Sequence, residues 1–232
     1  MAGDRADRGS ARPRSTDGPD RPALNGVDAM PPVRCWLAPW PGRADGWRWV
    51  HATLAQALRW PADALPVHRD ARGKPRLGAP LRDWHFSLTH SGPWALLALA
   101  RDRPVGADLE RLRPRQRLLQ LARRHFTAAE YATLRSLPAP RRLPAFYRLW
   151  TAKEAVLKAH GAGLAYGLGR VGMAWDGEDW QPARFEGVLG PASRWRLCRL
   201  QLPAPLIGAI AATSSELSVA SIECLAPALP AP

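Results

Sequence analysis

The chain has 232 residues, 46% of them apolar and 23% charged, with a formal net charge of +13. That length can bury one sizeable core or two small ones, and the composition is that of an ordinary globular protein. No apolar run reaches the roughly 18 residues a membrane span needs, and the three scattered cysteines, Cys35, Cys198 and Cys224, exclude a disulfide framework or cysteine metal cluster and fit buried thiols in a reducing cytoplasm.

Residues 1–33, rich in Arg, Asp, Pro and Gly and without the apolar stretch of a secretory signal, read as a disordered leader. Cys35 to Trp40 predicts a first strand. Gly46 to Trp60 predicts a helix with Trp49, Leu54 and Leu58 at helical spacing, ended by Pro61. Val67 to Pro80 reads as a turn-rich loop. Trp84–Leu88, Trp94–Ala100 and Val105–Glu110 predict three strands, the last two joined by a tight turn over Arg101–Pro104, and together an antiparallel meander.

A helix is expected over Arg115–His125, and Thr127-Ala128-Ala129-Glu130 is a capping-box sequence opening another to about Leu137. Pro138, Pro140 and Pro144 separate it from a long helix over Ala145–His160, closed by Gly161 and Gly163. Two-residue alternation resumes in Val171–Trp175, Trp195–Leu202, Leu206–Ala212 and Ser218–Cys224, and a Pro/Ala tail occupies 226–232. Helices and antiparallel strands occur in both halves, which makes the fold class α+β. The similar composition of Trp94–Ala100 and Leu206–Ala212 hints at an internal duplication.

Of the 33 basic residues only Lys74, Lys153 and Lys158 are lysine, and they fall in two short segments. A compact ammonium and a planar guanidinium are not interchangeable beside a phosphate, so these segments are the first places to look for chemistry. The chain beyond Arg34 carries 27 basic against 15 acidic groups. Such a surface favours a polyanionic partner: nucleic acid, anionic lipid, a nucleotide-like ligand or an acidic protein. Its densest stretch, Arg111, Arg113, Arg115 and Arg117 with Arg123 and Arg124, is either a solvated helix face or a docking surface.

Asp108 and Glu110 flank Leu109 at a strand end, and alternation puts both carboxylates on one face. Held that close they repel unless a cation or a shared proton reconciles them, and one or two carboxylates completed by water and substrate phosphate are how Mg²⁺ is usually bound. The plain alternative is a strand end carrying two exposed acids. Glu154 and Lys158 are four apart on a helix; the alternative there is a routine surface ion pair, against which stands the aromatic lead-in Phe146-Tyr147-Arg148-Leu149-Trp150. His90 lies in Phe86-Ser87-Leu88-Thr89-His90-Ser91-Gly92, read as a turn between two strands. Such a turn offers N–H groups, hydroxyls and an imidazole to an anion, although a lone turn histidine more often only hydrogen-bonds locally.

Taken in order, Gly73-Lys74-Pro75, Phe86-Ser87-Leu88-Thr89-His90-Ser91, Val105-Gly106-Ala107-Asp108-Leu109-Glu110, Phe126-Thr127 with Glu130, and Trp150-Thr151-Ala152-Lys153-Glu154-Ala155 with Lys158 resemble the signature of the Sfp-type 4′-phosphopantetheinyl transferases. The resemblance implies two similar α/β halves related by a pseudo-twofold, each an antiparallel sheet packed with helices. The halves are expected at 34–104 and 105–225, with coenzyme A in the cleft between them. It implies transfer of the 4′-phosphopantetheine arm to a serine of an acidic apo acyl- or peptidyl-carrier protein, with release of 3′,5′-ADP. Asp108, Glu110 and Glu154 are the implied ligands of Mg²⁺ or Mn²⁺; Glu154, Lys158 and Asp108 are the implied catalytic residues. Thr89, His90 and Lys74 are expected on the coenzyme A phosphates and nucleotide, with Gly73 and Pro75 shaping the adenine pocket and Lys158 on the pyrophosphate.

The 3′-phosphate is normally gripped by basic residues on an early helix, where this chain offers Arg48 or His51. The resemblance further implies a cytoplasmic monomer without nucleic-acid or membrane partners. Two other readings remain: a basic nucleic-acid-binding protein, which the 11 tryptophans do not favour because they sit inside apolar stretches, and an inactive carrier-protein binder.

Overall fold

The computed structural model describes residues 31–213 and 217–224; the expected tail and all but the last three residues of the expected leader lie outside them. Val33–Pro39 forms β1 and is followed by α1, Gly42–Leu58, closed by Arg59 in the left-handed region at φ 51°. The helix starts a turn earlier than expected. The Val67–Pro80 loop contains two three-residue strands, β2 (Val67–Arg69) and β3 (Pro75–Leu77), paired with each other.

The strands β4 (Trp84–Ser91) and β5 (Trp94–Arg101) form an antiparallel hairpin, and β5 pairs with β1. β5 is nearly all buried, since both of its faces are covered. The expected meander ends at this hairpin. β6 (Val105–Arg111) leaves the first sheet and pairs with β10 (Leu206–Thr213), which pairs in turn with β9 (Trp195–Arg199). The last strand, β11 (Val219–Cys224), returns to the first sheet and runs parallel to β1, so the expected C-terminal half lends a strand to the N-terminal one. A separate hairpin joins β7 (Val171–Trp175) to β8 (Trp180–Phe185); β8 lacked a clear alternation in the sequence.

Three helices lie between β6 and β7: α2 (Leu118–His125), α3 (Ala128–Ser136) and α4 (Ala139–His160). α2 begins only after Arg117, which is left-handed at φ 61°, so residues 115–117 are not helical. The Thr127–Glu130 capping box forms as read, Thr127 Oγ1 accepting from Glu130 N–H and Glu130 Oε2 accepting from Thr127 N–H. α4 starts at Ala139, six residues before the expected start. Pro140 falls in the first turn, where an N–H has no partner to lose, and Pro144 is carried inside by a helix held through its buried face.

The protein is therefore α+β, its sheets antiparallel apart from the parallel β1–β11 pair and packed by four α-helices. α1 covers one face of the first sheet through Val50 and Leu54 against Trp36, Leu97 and Leu99; α4 covers the second through Ala152, Ala155 and Val156 against Ala209 and Ala211. A third apolar cluster, with Cys35, Leu96, Val105, Leu109 and Ile210, fills the space between the sheets. Among the described residues no helix is long and apolar enough to cross a membrane.

Two devices fix β6. A Cβ on Gly106 would lie 1.9 Å from the Ala155 carbonyl oxygen and 2.3 Å from the Ala159 nitrogen, so only glycine lets α4 settle onto this strand. On its other side β6 runs beside β4 without a backbone ladder, and hydroxyls at every second residue of β4 make the connection. Ser87 Oγ accepts from Ala107 N–H (3.0 Å), Thr89 Oγ1 donates to Asp108 Oδ1 (3.1 Å), and Ser91 Oγ donates to Glu110 Oε2 (2.9 Å) while accepting from Arg111 N–H (3.0 Å).

Candidate active site

Those devices bring the strand-end acids under the inner face of α4. Asp108 is 5% and Glu154 6% exposed, so the reading of two solvent-facing acids at a strand end does not hold for Asp108. Lys158 Nζ donates to Asp108 Oδ1 at 2.6 Å, whereas Asp108 Oδ2 is buried without a hydrogen-bond partner among the described residues. Burial pushes the Asp108 carboxyl upward, with Lys158 and Thr89 acting in the opposite direction. Burial also raises Glu110, against the hydrogen bond from Ser91. Glu154 is pushed up to about 7 by burial first and then by the field of Asp108, with Lys158 opposing and Glu110 reinforcing. Lys158 pairs with Asp108 on β6, so the routine Glu154–Lys158 surface ion pair, the plain alternative at that four-residue spacing, is not what forms.

An orphaned buried carboxylate oxygen beside a second carboxyl destabilised by like charge is a site short of positive charge. Among the described residues no group of three or more His, Cys, Asp or Glu forms a ready-made metal cage. The donor set is hard and incomplete. That suits Mg²⁺, which keeps several waters and takes one or two carboxylates together with phosphate oxygens.

Beside these groups opens a cavity of about 350 Å³, lined by Arg72, Gly73, Lys74 and Pro75 on one wall and by Leu157, Lys158, Gly161 and Gly163 on the other. Trp47 from α1 and Phe86, Ser87 and Leu88 from β4 complete the lining. Gly73 sits at φ +79° in the β2–β3 turn, and Asp70 organises that turn by accepting from the N–H groups of Arg72 and Lys74 and from Arg76 Nε. Lys74 Nζ is spent on α4, donating to the carbonyls of Lys158 and Ala159. Its ammonium is lowered to about 8 by burial and by Arg76.

Sharing Trp47 and Pro75 with this cavity is a groove of about 400 Å³ whose remaining lining is His51, Val67, His68 and Arg69. The Arg69 guanidinium lies 5.2 Å over the Trp47 ring and donates to the Gly73 carbonyl. Of the two expected grips on the early helix, His51 lines this groove. Arg48, 85% exposed, pairs with Asp45 at 3.3 Å. Trp47, His68 and Arg69 were missed because a lone tryptophan and a strand-edge His-Arg pair carry no spacing signal. His90 is in β4, not in a turn, because the strand runs on through Ser91 and the hairpin turn is Gly92–Pro93; its exposed ring stacks on Trp40 with centroids 4.7 Å apart.

The third lysine has a structural place. Lys153 Nζ donates to Glu130 Oε2 (2.6 Å) and to the Leu168 carbonyl (3.0 Å), while Glu130 Oε1 accepts from Met173 N–H (2.7 Å), all fully enclosed. This ties α3, α4 and β7 together below the site.

Buried carboxylates, one of them paired with an ammonium, next to a cavity lined by glycines and basic side chains are chemically suited to a phosphate-bearing ligand. Residues 104–211 match the family described as the 4′-phosphopantetheinyl transferase superfamily. The chain is 40% identical over 108 residues to the 4′-phosphopantetheinyl transferase psf-1 of Bacillus pumilus, covering 47% of this chain and 45% of that protein. It is 47% identical over 98 residues to the 4′-phosphopantetheinyl transferase HetI of Nostoc sp., covering 41% of each. Against the 4′-phosphopantetheinyl transferase AcpT of Salmonella typhi it is 33% identical over 172 residues, 74% of this chain and 79% of that one. The chain therefore belongs to the 4′-phosphopantetheinyl transferase superfamily, although the match spans less than half the length of the first two relatives.

Proposed function

We propose that the protein transfers the 4′-phosphopantetheine arm of coenzyme A to a serine of an acidic apo acyl- or peptidyl-carrier protein, releasing 3′,5′-ADP. The single observation that carries this reading is the Asp108–Lys158 pair in the field of Glu154, with Lys158 itself lining the cavity. The cavity takes the nucleotide between the Gly73–Pro75 wall and the end of α4, and His51, His68 and Arg69 along the adjoining groove take its 3′-phosphate. His90 and Thr89 lie on β4, the strand whose Phe86, Ser87 and Leu88 line the cavity.

Asp108 and Glu154, with Glu110 two residues along β6, would hold Mg²⁺ or Mn²⁺, which when bound neutralises pyrophosphate oxygens. Lys158 supplies fixed positive charge where negative charge builds on the leaving phosphate, an effect strongest in a buried, preorganised site. The serine oxygen forms a bond to the phosphorus nearer the pantetheine arm as the bond to the second phosphate breaks. The serine proton passes to Glu154, whose carboxyl near 7 suits an acceptor working at neutral pH.

The partner is recognised in part by charge. Arg123 and Arg124 are exposed on α2, Arg111 is exposed at the end of the strand that carries Glu110, and Arg113 and Arg117 are exposed just after it. They form a positive rim that steers an acidic carrier. The protein works as a monomer in the cytoplasm, where Cys35 and Cys198 stay reduced.

Intact-mass spectrometry of apo acyl- and peptidyl-carrier proteins, incubated with the protein, coenzyme A and Mg²⁺, tests this. A gain of one phosphopantetheine arm is expected, and its loss with Glu154→Gln or chelator. No gain on any carrier from folded protein overturns the reading.

A further inference from the structure

We propose that Lys74 is a positioning residue, a strut whose ammonium fixes the distance between the two walls of the cavity and so places Lys158. The Lys158 role rests on the function proposed above; the strut itself does not. Lys74 is the last residue before β3 and belongs to the Arg72–Pro75 wall, yet its Nζ donates to the Lys158 carbonyl and, at 3.1 Å, to the Ala159 carbonyl. Both acceptors are in the last turn of α4, where backbone carbonyls have no helical partner and the helix carries partial negative charge.

The contact is tightly built. A Cβ on Gly161, the left-handed cap of α4 at φ +81°, would sit 3.5 Å from Lys74 Cδ and from Arg76 Nη2, so the lysine stem lies directly against the helix end. The root of Lys74 is equally constrained, its N–H donating to Asp70 Oδ1 and its carbonyl accepting from Asp70 N–H. Asp70 itself is anchored by Arg76 at 2.7 Å. The chain of contacts runs Arg76, Asp70, Lys74, α4 carbonyls. It spans two elements, the β2–β3 hairpin and α4, that lie 84 residues apart at the hydrogen bond to Lys158.

The carbonyl that Lys74 grips belongs to the residue whose ammonium holds Asp108. A shift of the last turn of α4 therefore displaces the Lys158 side chain from Asp108. With two of its three N–H groups on protein carbonyls, Lys74 acts on the ligand mainly through the shape of the wall.

Hydrogen exchange on the ligand-free protein, combined with kinetics, tests the strut using Lys74→Met, which keeps the stem and removes the donors. Amides of residues 157–161 and 72–74 should exchange about tenfold faster, as loss of hydrogen bonds from a charged donor implies. The turnover number for carrier modification should fall about tenfold. Unchanged exchange at the end of α4 with weakened coenzyme A binding would make Lys74 a ligand contact only and overturn the strut. Faster exchange with unchanged kinetics would reduce it to a structural stitch and overturn the positioning role. If the wild type modifies no carrier, the proposed function fails, while the exchange comparison still judges the strut. Should Lys74→Met not fold, Lys74→Gln, which keeps an amide donor on a shorter stem, carries the same comparison.

Discussion

Lys158 Nζ stands 2.6 Å from one oxygen of Asp108 while the other oxygen of that carboxylate, buried, has no hydrogen-bond partner among the described residues. The pair is half satisfied, which is how a structure holds a charge in readiness for something that is not protein. Removing the ammonium leaves the carboxylate without its cation, and removing the carboxylate leaves the lysine unaimed. Lys158→Met and Asp108→Asn are each expected to lower the turnover number about a hundredfold or more, the scale seen when one preorganised charge or donor is lost. The rate of mass gain on an apo carrier measures this, with circular dichroism confirming the fold. A change below threefold for Lys158→Met would remove it from the chemistry.

Glu154 links the site to stability. Its carboxyl titrates near 7 in the folded protein against an ordinary value of 4.5. The folded state then binds the proton more tightly than the unfolded one. The resulting penalty is absent below pH 4.5, grows through the window up to about 7 and is complete above it. With chelator present, Glu154→Gln should stabilise the protein at pH 8 by about 1–3 kcal/mol and lose that advantage towards pH 5. Adding Mg²⁺ at pH 8 should raise the melting temperature of the wild type and leave the variant nearly unmoved. A wild type insensitive to both pH and Mg²⁺ would contradict the assignment.

Gly106 is where packing decides the site. An alanine there would place its Cβ 1.9 Å from a backbone oxygen of α4, which cannot rotate away as a side chain could. Gly106→Ala should destabilise by about 1–3 kcal/mol or more, the usual cost of overpacking, and also depress activity because Asp108 lies two residues along the same strand. Thermal denaturation and the transfer assay report the two effects separately. An unchanged melting temperature would mean that α4 can retreat at no cost.

Much of this was legible in the sequence where a local rule governs. The capping box at Thr127 and Glu130, the glycine after His160 and the alternation of Val105–Glu110 each act within a few residues, and each formed. What could not be read was set by distant partners. Alternation puts Asp108 and Glu110 on one face, but it does not say that β6 abandons the hairpin for β10, nor that Lys158 reaches Asp108 instead of Glu154. The early start of α4 was hidden because prolines punctuate a sequence more strongly than they do a first helical turn. Lys153 and Lys158, five residues apart, look alike in the sequence; only the burial of Glu130 beside one and Asp108 beside the other separates a structural pin from a site residue.

That separation is itself testable. Lys153→Met leaves the Glu130 carboxylate fully enclosed without its cation, and breaking one side of a buried pair typically costs about 3–5 kcal/mol. Replacing both, as Lys153→Met with Glu130→Gln, should recover part of that loss, since the neutral amide removes the enclosed charge and its one oxygen can still accept from either the Thr127 or the Met173 N–H, though not from both. Chemical denaturation of the single and double variants measures the coupling. Additive losses would show that the pair is not a unit.

The groove beside Trp47 carries the last prediction. His51, His68 and Arg69 line it, and Arg48, the other basic candidate of the early helix, is turned to solvent against Asp45. If this groove takes the 3′-phosphate, Arg69→Gln should weaken coenzyme A binding about tenfold, the loss expected when a charge-assisted contact to an anion is removed. Binding of 3′-dephospho-coenzyme A, which lacks that group, should stay nearly constant. Because Arg69 lies over Trp47 at the junction of groove and cavity, tryptophan fluorescence follows both titrations. Equal weakening of the two ligands would show that Arg69 acts through Trp47 and the shape of the cavity. Loss of discrimination in Arg48→Gln, with Arg69→Gln unaffected, would return the grip to the helix.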